Sequence, residues 1–198
     1  MDCKVYTKKS FPDWIRFKVP DTNEVKQVHS LLEEIGIATV CKSALCPNRP
    51  ECWSRKTATF LLLGDICSRK CSFCAVKKGQ PLPPDPFEKD KIIKAVEVMG
   101  LRYIILTMVT RDDLLDGGAK HISEIVVSLK EIFPERKVEV LVSDFQGDVS
   151  SLKTILKAKP DVFSHNLETV ERLCNICLLY TSDAADDQLC VDLGGRRI

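Results

Sequence analysis

Six of the ten cysteines fall within 34 residues, as Cys41-x4-Cys46-x5-Cys52 and Cys67-x3-Cys71-x2-Cys74, on either side of an apolar run from Thr57 to Leu63. Whatever fold the chain adopts must gather one triplet just before that run and the other just after it. The chemistry of the donors narrows the purpose. Structural zinc takes four ligands, and neither triplet contains a fourth cysteine or a nearby histidine to close a tetrahedron. Two zinc ions shared among all six thiolates are the remaining zinc arrangement. Disulfides belong to secreted chains, and Met1 to Lys18 lacks the apolar segment of a signal peptide. The thiols therefore read as reduced and the location as cytoplasmic. A cubane 4Fe-4S cluster has room for one thiolate on each iron, so three cysteines leave one iron open to a non-cysteine ligand. In the second triplet that open iron is where chemistry can enter.

Composition sets weaker limits. With 198 residues, 44% of them hydrophobic, the chain has the makings of one sizeable globular core. Twenty-nine Lys and Arg against 28 Asp and Glu leave a formal charge of +1, so no global field draws nucleic acid or an anionic membrane. No apolar run reaches the length of a membrane span. The pairs Lys8-Lys9 and Lys77-Lys78 read either as solvated surface or as a contact for an acidic protein.

Hydrophobic periodicity alternates between helix and strand. From Asn23 to Ile35, the residues Val25, Val28, Leu32 and Ile35 share a helical face, with Asp21 or Thr22 as cap and Gly36 as stop. The stretch around Pro47 and Pro50 reads as loop. Thr57 to Leu63 is the first strand, with the second triplet just beyond its C-terminal end. Asp85-Pro86 has the form of a helix cap and N1 proline, ahead of a buried face of Ile92, Ile93, Val96 and Met99 that ends at Gly100. Arg102 to Thr107 is the second strand, and Ala119 to Phe133 a helix with Ile122, Ile125, Val126 and Leu129 inward. Lys137 to Val142 is the third strand. Asp148 caps a short helix with Leu152, Ile155 and Leu156 inward, and Asp161 to Ser164 opens a fourth strand.

This alternation predicts an α/β fold with a parallel sheet and right-handed crossovers. Such sheets place their sites at the C-terminal strand ends. Gly117 and Gly118, between the second strand and a helix, are either a tight turn or a place where backbone approaches a ligand. Thr107, Arg111, Asp112, Asn166 and Glu168 fall at the same strand edges, as ligand contacts or as loop-holding groups. His29 reads as surface, His121 as a helix-start residue, and His165 as the histidine with a site position.

At these residues the chain resembles a known family. Cys67-Ser-Arg-Lys-Cys71-Ser-Phe-Cys74, with Phe73 before the last cysteine, resembles the CxxxCxxC signature of the radical S-adenosylmethionine (SAM) superfamily. The segment from Val40-Cys41 to Cys52-Trp53 resembles the auxiliary-cluster segment of the lipoyl synthase family. So do Thr57 to Phe60, Thr110-Arg-Asp-Asp-Leu114 with Asp116-Gly-Gly118, and His165-Asn-Leu-Glu-Thr169. The match runs from about Phe11 to Cys174. It implies a partial parallel (β/α) barrel of six strand-helix units, of which about four begin here, behind an N-terminal auxiliary-cluster extension. The expected division is 1–56 for the N-terminal helix and auxiliary-cluster segment, 57–174 for the incomplete barrel, and 175–198 for a tail unlike the family. From Leu178 to Ile198 the text resembles translated sequencing adapter, with a divergent helix and tail as the alternative, and the chain reads as C-terminally truncated. Cys174, Cys177 and Cys190 have no motif behind them.

The resemblance also implies a chemistry. A 4Fe-4S cluster on Cys67, Cys71 and Cys74 takes the amino and carboxylate groups of SAM on its open iron. Electron transfer to the sulfonium then yields a 5′-deoxyadenosyl radical that abstracts hydrogen from an alkyl carbon. Phe73, Thr107, Arg111, Asp112, Gly117, Gly118, Asn166 and Glu168 are the implied SAM-binding set. A second 4Fe-4S cluster on Cys41, Cys46 and Cys52 gives up sulfur to carbons 6 and 8 of an octanoyl chain, forming the lipoyl group. The implied partners are an octanoylated lipoyl-carrier domain or glycine-cleavage H-type protein and a one-electron donor such as ferredoxin or flavodoxin, served by a monomeric enzyme. The family's fourth auxiliary ligand is a serine in an Arg-Ser-Ser-Tyr motif that this sequence lacks, so this chain as written is expected to form no lipoyl product. The alternatives are a radical SAM enzyme whose auxiliary cluster only carries electrons, and a non-catalytic metal-binding module. Both triplets are expected to open toward the C-terminal ends of the strands.

Overall fold

The computed structural model describes residues 22–43, 46, 48–170 and 172–173. The expectations for Lys8-Lys9, the Asp21 cap, Pro47, Cys174, Cys177, Cys190 and the tail lie outside the described residues, as does the side chain of Val25.

The elements run α1 (Thr22–Ile35), α2 (Val40–Ser43), α3 (Arg49–Ser54), β1 (Thr57–Leu62), β2 (Ile66–Cys67), β3 (Lys77–Lys78), α4 (Glu88–Val98), β4 (Tyr103–Met108), α5 (Ala119–Ile132), β5 (Lys137–Leu141), α6 (Val149–Lys157) and β6 (Val162–Ser164). One 3-10 turn, Phe145–Gly147, precedes α6. β1, β4, β5 and β6 form a parallel sheet in that order, each beside the sheet strand before it in the chain. Parallel neighbours require a long return connection, and α4, α5 and α6 are those returns. The α/β architecture with a strand-helix repeat is the partial-barrel arrangement expected.

Side chains alternate across a strand, so Ala58, Phe60 and Leu62 share a face with Ile104, Leu106, Val138 and Val140, all 1% exposed or less. They pack in one core with Ile92, Ala95 and Val96 of α4 and with Ile122, Ile125, Val126 and Leu129 of α5. Burying each large side chain of this set stabilises the fold by about 1.5–3 kcal/mol. The stripe read for α5 holds throughout, and that for α4 holds except that Ile93 is only partly buried. The other face of the sheet is half-buried, with Thr59, Ile105, Thr107, Glu139 and Leu141 along it. There Glu139 accepts hydrogen bonds from Tyr103 Oη at 2.6 Å and Ser164 Oγ at 2.9 Å. The Glu139 bond pushes the Tyr103 phenol up to about 12.

Three local readings need correction. Arg49–Ser54 is helix, not loop, because Pro50 sits in its first turn, where no intrahelical N–H is lost. α4 begins at Glu88 and not at Pro86. Asp85 instead closes the preceding turn, its carboxylate accepting from Phe87 N at 2.9 Å and its carbonyl from Glu88 N at 3.2 Å. Asp148 caps α6 as read, accepting from Ser150 N and Ser151 N, but Leu156 is 51% exposed. The buried stripe of α6 runs through Ser151, Ile155 and Ala158, and Leu156 falls one step round from it.

The two outer strands are treated differently. Beside β1, Ala38 and Thr39 run antiparallel to it, with Thr39 bridged to Phe60 and Leu61 N donating to Ala38 O at 3.0 Å. β6 pairs with β5 through Glu139, Val140 and Leu141 and, among the described residues, on that side alone.

Candidate active site

β1 ends in a turn through Leu63 and Gly64, both left-handed, with φ of 66° and 100°. The strained Leu63 is held on both sides. Its N–H donates to both carboxylate oxygens of Glu88 at 3.1 Å, and its carbonyl accepts from Arg111 Nη1 at 3.1 Å. Past the turn, β2 and β3 form a short parallel ladder that sets Cys67 opposite Lys78, and Gly79 N donates to Cys67 O at 3.0 Å. The ladder pinches off the loop 68–76, which carries Cys71 and Cys74. Within it Cys74 N donates to Cys71 O at 3.3 Å, Lys78 Nζ donates to the same oxygen at 2.7 Å, and Arg69 N donates to Cys67 Sγ at 3.4 Å. Burial, then the neighbouring Cys67 and Cys74, pushes the Cys71 thiol up.

The base of this loop is fastened to two later strands. Ser68 donates to Thr110 O from N at 3.1 Å and from Oγ at 2.9 Å, and Asp112 N donates back to Ser68 Oγ at 3.1 Å. Arg69, 7% exposed, lies between two carboxylates. Nε and Nη2 donate to Asp112 at 2.8 Å each, and Nη1 and Nη2 to Asp144 at 2.6 and 2.7 Å. Asp112 follows β4 and Asp144 follows β5. Burial opposes charge on Arg69, but its bonds to Asp144 and Asp112 raise its pKa above the ordinary value. Burial likewise opposes charge on Asp112, and the bonds from Arg69, then Gln146, hold that carboxyl below its usual range. The sequence reading placed Asp112 among SAM contacts and missed Arg69 and Asp144. Arg69 stands at an unspecified position of CxxxCxxC, and nothing local ties it to Asp144.

The other expected SAM contacts divide. Arg111 is 2% exposed, and its guanidinium is committed to Asp113, at 2.9 Å from Nε and 2.7 Å from Nη2, and to Leu63 O. The Arg111 bond holds the Asp113 carboxyl below its usual range. Arg111 thus braces the turn instead of presenting donors to a ligand. Gly117 and Gly118 have φ of 58° and 88°, and a Cβ on them would lie 2.6 Å from the Phe145 ring and 2.3 Å from Leu63 Cδ1. The space beside them is filled by packing, so the tight-turn reading is the one built. Phe73, 56% exposed, Thr107 at the end of β4, and Asn166 and Glu168 past β6 remain on the rim with the cysteine loop. Asn166 Nδ2 donates to Glu168 at 3.1 Å, and His165 Nδ1 bonds Val142 O at 2.9 Å.

The first triplet is also gathered. Cys41, in α2, is 7% exposed; Cys46 N donates to Cys41 O at 3.2 Å; and Cys52 lies in α3. Burial, then Cys41 and Cys46, pushes the Cys52 thiol up. From Gly36 the chain runs back along β1, and α3 enters β1 through Arg55 and Lys56 alone. The first triplet therefore lies beside β1 and ahead of it in the chain, and the second follows its C-terminal end.

All six cysteines are free thiols. Among the described residues no three His, Cys, Asp or Glu side chains converge on a point suited to a single metal ion. A cubane does not ask for that, since each thiolate meets a different iron. The donor chemistry, and the N–H bond to Cys67 Sγ, fit such a cluster.

The family profile of the Radical SAM superfamily matches residues 61–182. The lipoyl synthase of Caldicellulosiruptor saccharolyticus is 51% identical over 167 residues, covering 84% of this chain and 58% of that protein. That of Chlamydia felis is 49% identical over 163 residues, 82% and 52% of the two chains. For Methylobacillus flagellatus the figures are 48% over 163 residues, 82% and 50%. The chain spans a little over half the length of the curated relatives it matches. A parallel strand-helix sheet whose first strand runs into a CxxxCxxC loop, together with a profile match over more than half of its residues, places the chain in the radical SAM superfamily.

Proposed function

We propose that this chain carries the cluster-binding segments of a lipoyl synthase, which inserts sulfur at carbons 6 and 8 of a protein-bound octanoyl chain. The observation that carries the reading is the 51% identity to a lipoyl synthase over 167 of 198 residues. A match of that length must include positions 32–167, and so both triplets. Superfamily membership brings an iron-sulfur cluster and SAM. In this reading Cys67, Cys71 and Cys74 hold that cluster, and Cys41, Cys46 and Cys52 hold a second. When bound, the first cluster and SAM supply the one-electron chemistry that ends in hydrogen abstraction from an alkyl carbon.

The chain's own residues do the positioning. The β2–β3 ladder and Arg69 hold the cysteine loop, while Arg111, Gly117 and Gly118 shape the turn beneath it. Phe73, Thr107, Asn166 and Glu168 receive SAM at the rim, with Asp112 steadying the loop. With the first triplet beside β1 and the second past its end, the alkyl chain lies along the half-buried strand face, past Thr59, Ile105 and Leu141. The domain division 1–56, 57–174 and 175–198 belongs to the same proposal. So do an octanoylated lipoyl-carrier or glycine-cleavage H-type partner and a ferredoxin or flavodoxin donor. Among the described residues no helix is long and apolar enough to cross a membrane. The competing reading, a second cluster that only relays electrons, is distinguished by whether cluster sulfide is lost on turnover.

The test grafts residues 32–167 into the Caldicellulosiruptor saccharolyticus lipoyl synthase and measures 5′-deoxyadenosine, cluster sulfide and lipoyl product on an octanoylated carrier domain. Cys67→Ala is expected to abolish SAM cleavage. Cys46→Ala is expected to leave cleavage intact and end lipoyl formation. Lipoyl product from the Cys46→Ala graft, or undiminished sulfide after turnover, would overturn the sulfur-donor reading.

A further inference from the structure

We propose that Arg69 is a positioning residue that sets the Cys67 thiolate, and with it the open iron of the cluster, by anchoring the loop to the ends of β4 and β5 through Asp112 and Asp144. The inference rests on the assignment of Cys67, Cys71 and Cys74 to an iron-sulfur cluster.

One residue makes both ends of the connection. Its backbone N–H donates to Cys67 Sγ at 3.4 Å, while its guanidinium donates four hydrogen bonds of 2.6–2.8 Å to two carboxylates. Charge-assisted bonds of this kind are strong and directional, and a pair of them to each carboxylate fixes the guanidinium plane. The side chain is 6% exposed, Asp144 10% and Asp112 26%, so solvent screening of the three is modest. Removing the fork therefore frees the backbone of Arg69 and turns the N–H away from the sulfur. Groups that orient a metal-binding side chain without touching the metal commonly change affinity by one to two orders of magnitude. Ser68 also ties the start of the loop to Thr110 and Asp112, and Arg69 adds the bond to a cysteine sulfur. Lys70 and Phe73 are exposed, and Lys78 reaches only the carbonyl of Cys71. Lysine cannot replace Arg69, because a compact ammonium cannot span two carboxylates in paired fashion.

The experiment uses the full chain with Cys41, Cys46 and Cys52 changed to Ala, reconstituted anaerobically with iron and sulfide so that only the second triplet is loaded. Iron release to a chelator and the electron paramagnetic resonance spectrum of the reduced cluster, with and without SAM, are compared among wild-type loop, Arg69→Lys and Asp144→Asn. Arg69→Lys is expected to release iron about tenfold faster and to lose the spectral change caused by SAM, with far-ultraviolet circular dichroism unchanged. Asp144→Asn, which keeps the Asp112 pair, is expected to show a smaller acceleration. Wild-type release and a wild-type SAM response in Arg69→Lys overturn the proposal. If Arg69→Lys does not fold, the same wild-type behaviour in Asp144→Asn overturns it. A wild-type loop that takes up no iron, or a Cys67→Ala loop that retains it, sinks the cluster assignment and this inference together.

Discussion

The two cysteine triplets are gathered by different forces. The first is held by its own neighbourhood: a backbone bond from Cys46 to Cys41, two short helices, and the buried side chains of Cys41 and Trp53 packed into the core beside β1. The second contributes little to the core, and the side-chain partners of Ser68 and Arg69 that anchor it lie 42 to 75 residues away in sequence. A loop that must stay polar and open cannot be fixed by apolar burial, which is non-directional. Paired charges and hydrogen bonds supply the direction instead.

That contrast can be broken from either side. The largest effect is expected from Trp53→Ala, which removes a core side chain beside the first triplet and costs about 3–5 kcal/mol. Urea denaturation gives the loss, and iron uptake restricted to each triplet by cysteine substitution should show the first impaired and the second spared. Equal impairment of both would mean that the two regions are not mechanically separate. Asp144→Ala should do the reverse at about 2 kcal/mol, the range for a hydrogen bond to a charged group, leaving the first triplet's uptake unchanged. Ser68→Ala, which deletes the Oγ bonds to Thr110 O and from Asp112 N but keeps the backbone bond to Thr110 O, is expected to cost about 1 kcal/mol by the same measurement.

Acid should separate the regions without mutation. The folded Asp112 carboxyl titrates below its unfolded value of about 3.9, so its contribution is complete above that pH and is lost as pH falls through the lowered folded value. Beside the first triplet the carboxylates are exposed, Glu33 on Lys42 and Glu51 on Arg55 at 2.6 Å each, and water screens such pairs to little net worth. Pepsin at low pH should therefore cut within 68–78 before 40–54, and the opposite order would contradict the comparison. The smallest effect lies between the two regions, on the strand face. Tyr103 should titrate at about 12, and Glu139→Gln should return it toward 10. Since the folded value is raised, the stabilisation is complete below about pH 10 and fades as pH rises through the folded value. Ultraviolet titration of the phenols checks it.

What could be read from the residues follows the range of the forces. α1, α5 and the four long-range strands were legible because hydrophobic periodicity is a local signal, and the Asp148 cap because the N–H groups that donate to it are two and three residues on. The cysteine sets were legible as spacing. Leu156 was misread because 3.6-residue periodicity leaves the exact edge of a stripe open until the neighbouring strand is known. The placement of Cys41 beside β1 depends on a single antiparallel bridge, Thr39 to Phe60, which has no hairpin signature. The Arg69 clamp was invisible for the same reason in larger measure, since its carboxylates lie 43 and 75 residues away.

The strands of the sheet lie in the order in which the chain presents them, so during synthesis each new strand meets a finished neighbour. The cysteine loop does not share that convenience. Asp144 leaves the ribosome 75 residues after Arg69, a delay of roughly 4 to 15 seconds at bacterial elongation rates of about 5–20 residues per second. Through that interval Cys67, Cys71 and Cys74 have already been made, on a loop tied by its two-residue ladder and Lys78 and then, once β4 has emerged, by Thr110 and Asp112. Iron, sulfide and oxidants all reach the thiols before the loop has its final shape. For this segment the order of arrival, as much as affinity, decides what the cysteines end up holding.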